Sequence, residues 1–261
     1  MKVACIQLSS GEDYNKNYIE IIKYVNKAIK NKADLIITPE TSSLMSANKE
    51  NLFKYSYHMT NDPILKKIKL IAKNKHKWIL IGSMSIKVKN KLRNRSILIG
   101  PNGKINKYYD KINMFDVKVS KKEQHMESKV FSAGKKLVSA QLPWGKLGFS
   151  ICYDLRFPEL YRNLSKRNLN FITVPSAFTK TTGQRHWLTL LKARAIENFC
   201  YIFAPNQTGK NTIKRETFGH TVIISPDGKI IALKKFGKGI IYSKINPKLS
   251  MSLRKVIPSL L

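Results

Sequence analysis

Short apolar runs alternate along this chain with stretches that are apolar on one helical face, and that alternation restricts the fold to layered α/β packing. The runs Lys2 to Leu8, Asp34 to Thr38, Trp78 to Ile86, Leu147 to Ile151, Phe171 to Val174, Cys200 to Ala204 and Gly239 to Tyr242 read as buried strands. Between the first two, Tyr14 to Lys30 sets Tyr18, Ile21, Ile22, Val25, Ala28 and Ile29 on one helical face. Asp62 to Lys75 repeats that pattern through Leu65, Ile68 and Ala72, with Asp62 as N-cap and Pro63 in the first turn. Further helices are expected near Pro158 to Arg167 and His186 to Phe199. Pro101-Asn102-Gly103 and Pro226-Asp227-Gly228 are turn signals for hairpins around Ser96 to Ile105 and Val222 to Ala232. No linker, low-complexity segment or short repeat interrupts the pattern, so a single domain is expected across residues 1–261.

Composition narrows the function classes. The three cysteines, Cys5, Cys152 and Cys200, form no CxxC pair, which argues against a disulfide framework or a cysteine zinc site and for a reducing, cytoplasmic setting. The apolar segment in MKVACIQLSSGED is too short for a signal peptide to be expected, no apolar run approaches membrane-spanning length, and the five histidines are scattered without ligand-like spacing. The formal charge of +32 raises the question of nucleic acid. The lysines, however, are spread over nearly every segment, with no RNA-binding signature or basic helix among them, so a solvated basic surface is the favoured reading.

Chemistry enters with the stretch GFSICYDLRFPELYR, Gly148 to Arg162. It places Cys152 at the junction between an apolar run and a charged turn, where the following backbone N-H groups can stabilise a thiolate or an oxyanion. Spacing alone leaves core packing as the alternative, because free cysteine is among the most buried residue types. Glu40 stands just past a buried strand, where Pro39 turns the chain out of regular structure; it reads as a base or as a plain loop carboxylate. Lys111 in YYDKINMFD and Glu127 before FSAGK would each pass for a surface charge. Cys5 and Cys200 sit in apolar runs and read as core, and His220 reads as structural.

Taken in order, these segments resemble the nitrilase superfamily of carbon-nitrogen hydrolases. LIITPE, YDKINMFD and ICYDLRFPELYR are similar to its glutamate, lysine and cysteine motifs, and PSAFT, TGQRHW, KARAIEN, NQTG and FGHT resemble its Nit-type amidase branch. The likeness runs from residue 2 to about residue 258. It implies a four-layer αββα sandwich in which Glu40, Lys111 and Cys152 are catalytic. Glu127 is then expected to orient Lys111, and the Tyr153 N-H to join Lys111 in holding the tetrahedral oxygen. His186 and Trp187 are candidates for the substrate border, with packing at a helix N-terminus as the equal alternative. The resemblance further implies hydrolysis of a small linear amide, a carboxylate-bearing ω-amide such as deaminated glutathione or an α-keto acid monoamide, without metal or other cofactor. It implies at least a homodimer, with the tail from about residue 246 to 261 as a candidate interface segment, and no nucleic-acid or membrane partner. Action on nitriles or N-carbamoyl compounds, or a catalytically idle binding role, are the alternatives. Leu188, Lys192 and Thr221 depart from the branch pattern, in which Glu, Arg and Ser are usual, so the named substrate is the least transferable part.

Overall fold

The computed structural model describes residues 1–119, 124–213 and 215–260. Two six-stranded mixed sheets form its centre. The first runs, in spatial order, Gly239–Lys244, Lys2–Gln7, Leu35–Ile37, Trp78–Val88, Lys91–Ile99 and Ile105–Asp110. The second runs Ile230–Lys234, Thr221–Ile224, Tyr201–Ala204, Phe171–Thr173, Gly145–Phe149 and Ser139–Leu142. Taken from opposite edges, both follow one plan: an antiparallel edge strand, a parallel trio, then an antiparallel pair.

Side-chain alternation sorts the apolar residues into layers. In the first sheet Ala4, Ile6, Ile36, Ile79 and Ile81 face outward onto Ile21, Val25 and Ala28 of the helix Tyr14–Lys30 and Ile64, Leu65 and Ile68 of the helix Pro63–Lys75. Their neighbours Val3, Cys5, Leu35, Ile37, Leu80 and Leu98 belong instead to the core shared with Leu147, Phe149, Phe171 and Phe203 of the second sheet. That second core continues to Leu160, Tyr161 and Leu164 of the helix Pro158–Ser165 and to Trp187, Leu191 and Ala195 of the helix Lys180–Asn198. Strands apolar on both faces are buried between layers, and the result is the expected αββα sandwich. No helix of the described residues is long and apolar enough to cross a membrane.

Several boundaries differ from the sequence reading. The helix expected from His186 begins at Lys180, with the Thr179 side chain accepting from the Thr182 N-H. Its buried stripe contains Gly183, Arg194 and Asn198, which an apolar pattern does not register. Glycine is required there: a Cβ on Gly183 would lie 2.4 Å from the Phe218 ring. The strand expected at Leu147 to Ile151 ends at Phe149, and short elements such as Lys49–Lys54, Thr208–Thr212 with Arg215–Phe218, and Lys248–Val256 carried no periodic signal.

The two halves meet tightly at Gly82. A Cβ there would fall 1.9 Å from the Thr38 carbonyl oxygen, 2.6 Å from that of Pro39 and 2.6 Å from the Pro175 side chain. Thr38 and Pro39 leave the first sheet, and Pro175 leaves the second.

Candidate active site

The parallel strands of both sheets discharge their carboxyl ends at one place, the position at which open α/β sheets bind ligands. Glu40 follows Leu35–Ile37, and its turn is fixed from several sides. The Thr38 N-H donates to the Leu80 carbonyl, Thr38 Oγ1 accepts from the Gly82 N-H and from Ser42, and Gln207 Nε2 donates to the Glu40 carbonyl. Cys152 opens a 3-10 turn, Cys152–Arg156, just past Gly145–Phe149. Its φ of +46° is a left-handed conformation that a side chain seldom adopts, held by donation from its N-H to the Pro175 carbonyl at 3.0 Å. Lys111 follows Ile105–Asp110 directly, its N-H on the Asn94 carbonyl. Glu127 begins the 3-10 turn Glu127–Lys129.

These four residues converge although 112 positions separate the first from the last. Lys111 Nζ donates to Glu40 Oε1 at 2.9 Å and to Glu127 Oε2 at 2.8 Å. Asn94, unremarked in the sequence, closes the ring: its Nδ2 donates to Glu40 Oε1 at 3.0 Å and to Glu127 Oε1 at 2.9 Å. The Phe115 N-H adds a bond to Glu127 Oε2, and the Ala177 N-H one to Glu40 Oε2. Both lone pairs of Glu40 Oε1 are thus occupied, whereas Oε2 keeps one. Relative exposures of 3% for Glu40, 2% for Lys111 and 5% for Cys152 put all three beyond bulk solvent.

Burial sharpens the electrostatics. It raises the Glu40 carboxyl, but the Lys111 ammonium beside it, with help from Arg215 and the Cys152 thiol, leaves Glu40 below its ordinary value and therefore ionised. Desolvation would likewise discharge Lys111, yet Glu127 and Glu40 outweigh it and hold the ammonium well above the usual lysine range. For Cys152, burial and then the Glu40 charge push the thiol far up, against the pull of Lys111. The resting cluster is a neutral thiol beside an ionised carboxylate, not a preformed thiolate.

Asp154 ties the nucleophile turn to the lysine segment. Its fully buried carboxyl accepts from the Ile151 N-H and the Tyr109 hydroxyl on Oδ2, and from the Asn113 N-H and Nδ2 on Oδ1. The sequence marked Asp154 only as a turn residue. A polar Asn94 between Arg93 and Arg95, in a strand that ends Ile97-Leu98-Ile99, was the available signal for the other missed residue.

A cavity of about 550 Å³ opens over Glu40, Lys111, Glu127, Asn94 and Cys152 and is walled by Leu44, Met45, Phe115, Phe131 and Arg215. Neither His186 nor Trp187 lines it. Trp187 is wholly buried, packs at a tilt against Phe178 and donates its indole N-H to the His220 carbonyl. His186 Nδ1 accepts from Arg156. Trp187 thus packs into the second core, and His186 lies half-buried beside Arg156, outside the cavity wall. The Tyr153 ring packs edge-on to Phe115 and Phe157, while its backbone N-H lies in the first turn of the 3-10 segment, where helical amides lack an internal partner. Cys5 and Cys200 are buried in the core, where desolvation pushes the Cys200 thiol up to about 12. Among the described residues, no cluster of histidine, cysteine, aspartate and glutamate has the arrangement of a metal site.

An αββα sandwich with a buried acid, ammonium and thiol at the strand ends defines a class of hydrolase, and comparison with known proteins places the chain within it. The carbon-nitrogen hydrolase profile matches residues 2–255, so this chain belongs to the carbon-nitrogen hydrolase family. It is 36% identical over 265 residues to the deaminated glutathione amidase of Yersinia enterocolitica, covering 99% of this chain and 91% of that protein. Omega-amidase NIT3 of Saccharomyces cerevisiae is 30% identical over 266 residues, covering 99% and 91%. The crystal structure of that yeast Nit3, described as a member of branch 10 of the nitrilase superfamily, matches with a TM-score of 0.88 at 26% identity over 99% of this chain and 94% of that one. The Caenorhabditis elegans NitFhit crystal structure matches with a TM-score of 0.92 at 32% identity, covering 98% of this chain and 63% of the longer one. The chain is accordingly an enzyme that hydrolyses carbon-nitrogen bonds of amides.

Proposed function

We propose that the enzyme hydrolyses a small linear amide carrying a carboxylate, such as deaminated glutathione or an α-keto acid monoamide, through a thioester on Cys152 with release of ammonia. The reading is carried by one observation: an ionised Glu40 with one oxygen saturated and the other open, beside a neutral Cys152 thiol. Glu40 Oε2 takes the thiol proton as sulfur bonds to the amide carbon. The resulting oxyanion is held by the remaining Lys111 N-H and by the Tyr153 backbone N-H. Glu40 then delivers its proton to the nitrogen as the C-N bond breaks. A buried, unpartnered Asn94 Oδ1 offers an acceptor to an N-H of the departing amine. Water attacks the thioester, Glu40 takes its proton, and that proton returns to sulfur as the acid leaves. Glu127 keeps Lys111 charged and aimed.

Supporting features extend the reading beyond the reaction. The layered packing supports reading the chain as one hydrolase domain. The buried, unpaired cysteines suit a reducing, cytoplasmic setting. The tail helix Lys248–Val256 is tied to its own chain through Ser250 and Arg254, yet exposes Met251 at 41%, Val256 at 77% and Ile257 at 51%, an apolar face suited to a second copy. The test is ammonia release from a panel of ω-amides together with intact-mass detection of an acyl adduct. Parent enzyme should yield both, and Cys152→Ala neither; an equally active Cys152→Ala protein would sink the assignment.

A further inference from the structure

Lys111 is already matched by two carboxylates, but the cavity carries a second cation that, among the described residues, is not. Arg215 opens the strand Arg215–Phe218 and shares the cavity wall with Glu40 and Cys152. Its Nη2 donates to the Ala177 carbonyl at 2.7 Å, and the Ala177 N-H donates in turn to Glu40 Oε2 at 2.8 Å, so the guanidinium is anchored one residue from the acid. That anchor is its sole hydrogen bond among the described residues, and no carboxylate pairs with it there. Its Nε is buried and has no hydrogen-bond partner among the described residues. A guanidinium cannot shed its charge and charged donors in a cavity wall call for an acceptor, which the described residues supply to Arg215 only at the Ala177 carbonyl.

The charges of the site say what that something is. With the thiol neutral, Glu40 and Glu127 balance Lys111 and Arg215. Lys111 is enclosed between its acids, which leaves Arg215 as the cavity cation open to an anion, and a planar fork of donors matches a carboxylate. Arg215 does favour ionised Glu40 electrostatically, but the two form no ion pair, so support of Glu40 alone would leave Nε unexplained.

We infer that Arg215 is the specificity-determining residue of this enzyme: its guanidinium, on the cavity wall, receives the carboxylate at the far end of the acyl chain while the amide carbon lies at Cys152. This rests on the amidase reading of the same cavity and adds to it the group that distinguishes charged from uncharged amides. Because Arg215 also acts on Glu40, the decisive measurement is binding rather than turnover. Calorimetric dissociation constants are compared for glutaramate, the monoamide of glutarate, and uncharged pentanamide, using Cys152→Ala protein with and without Arg215→Gln. Glutaramate should bind the Arg215 protein about 10- to 100-fold more tightly than pentanamide, and Arg215→Gln should erase that preference. Arg215→Lys, which keeps the charge without the fork, should retain an intermediate preference. Equal binding of the two amides, or a preference that survives Arg215→Gln in protein with an unchanged thermal transition, overturns the inference. An Arg215-dependent preference in an enzyme that releases no ammonia from any amide would instead leave the inference standing and remove the amidase reading.

Discussion

At the residue scale the site is a problem of buried charge. Glu40 can stay ionised in the interior because the Lys111 ammonium lies against it, and Lys111 and Asn94 together bridge Glu40 to Glu127. Glu40, held low by its partners, stabilises the fold above the ordinary carboxylate range and loses that contribution as pH falls through its depressed folded value. Lys111→Met reverses the sign, since ionising Glu40 then costs free energy as pH rises. Urea unfolding should show a loss of about 3–5 kcal/mol at pH 7.5 that shrinks at pH 5.0; a loss independent of pH would mean that the ammonium does not stabilise the acids. Of these residues, Glu40, Lys111, Glu127 and Cys152 were named through the family resemblance, since residue type and spacing alone left each open to a plain surface, loop or core reading. Asn94 and Arg215 were not, since their roles depend on which unsatisfied atom faces which neighbour across sheets, a matter that spacing along the chain does not encode.

At the element scale, caps were legible where the chemistry is local. Asp62 was expected as an N-cap, and its side chain accepts from the Leu65 N-H at 2.8 Å with Pro63 following. The same acid carries a cost invisible in sequence: burial raises its pKa to about 6, and among the described residues neither its Oδ2 nor the nearby Tyr14 hydroxyl has a hydrogen-bond partner. Between the ordinary aspartate value and about 6 the folded chain binds more protons than the unfolded one, so stability falls as pH rises through that window and the penalty persists above it. Asp62→Asn keeps the cap without the charge. Its urea midpoint should correspond to a gain of about 1–3 kcal/mol at pH 7.5 and to a smaller one at pH 5.0; a loss at pH 7.5 would show that the ionised form is favoured. Helix Lys180–Asn198 was only half legible, because a stripe of Gly183, Trp187, Leu191, Arg194 and Asn198 is buried by shape and hydrogen bonding rather than by hydrophobicity.

For the whole molecule, the layered class followed from alternation alone, while four layers in this order came from the family resemblance. Which apolar face meets which cannot be deduced when strands are apolar on both. The charge of +32 was legible too, and its physical consequence lies between molecules rather than within one. Two such chains repel unless counterions intervene, and the Debye length contracts from about 30 Å at 0.01 M to about 10 Å at 0.1 M salt. Light scattering at fixed protein concentration should therefore show the dimer fraction rising between 20 and 300 mM NaCl, with about a tenfold tighter association or more; a dimer that weakens with salt would point to an interface made of ion pairs. Finally, Gly82 sits where the turn bearing the acid and the turn supporting the sulfur press together, Thr38 and Pro39 on one side and Pro175, the acceptor for Cys152, on the other. It works as a feeler gauge between the halves of the enzyme. A single methyl group inserted there would act as a wedge, parting base from nucleophile without altering either, so the reactive spacing is set by a residue with no functional group of its own.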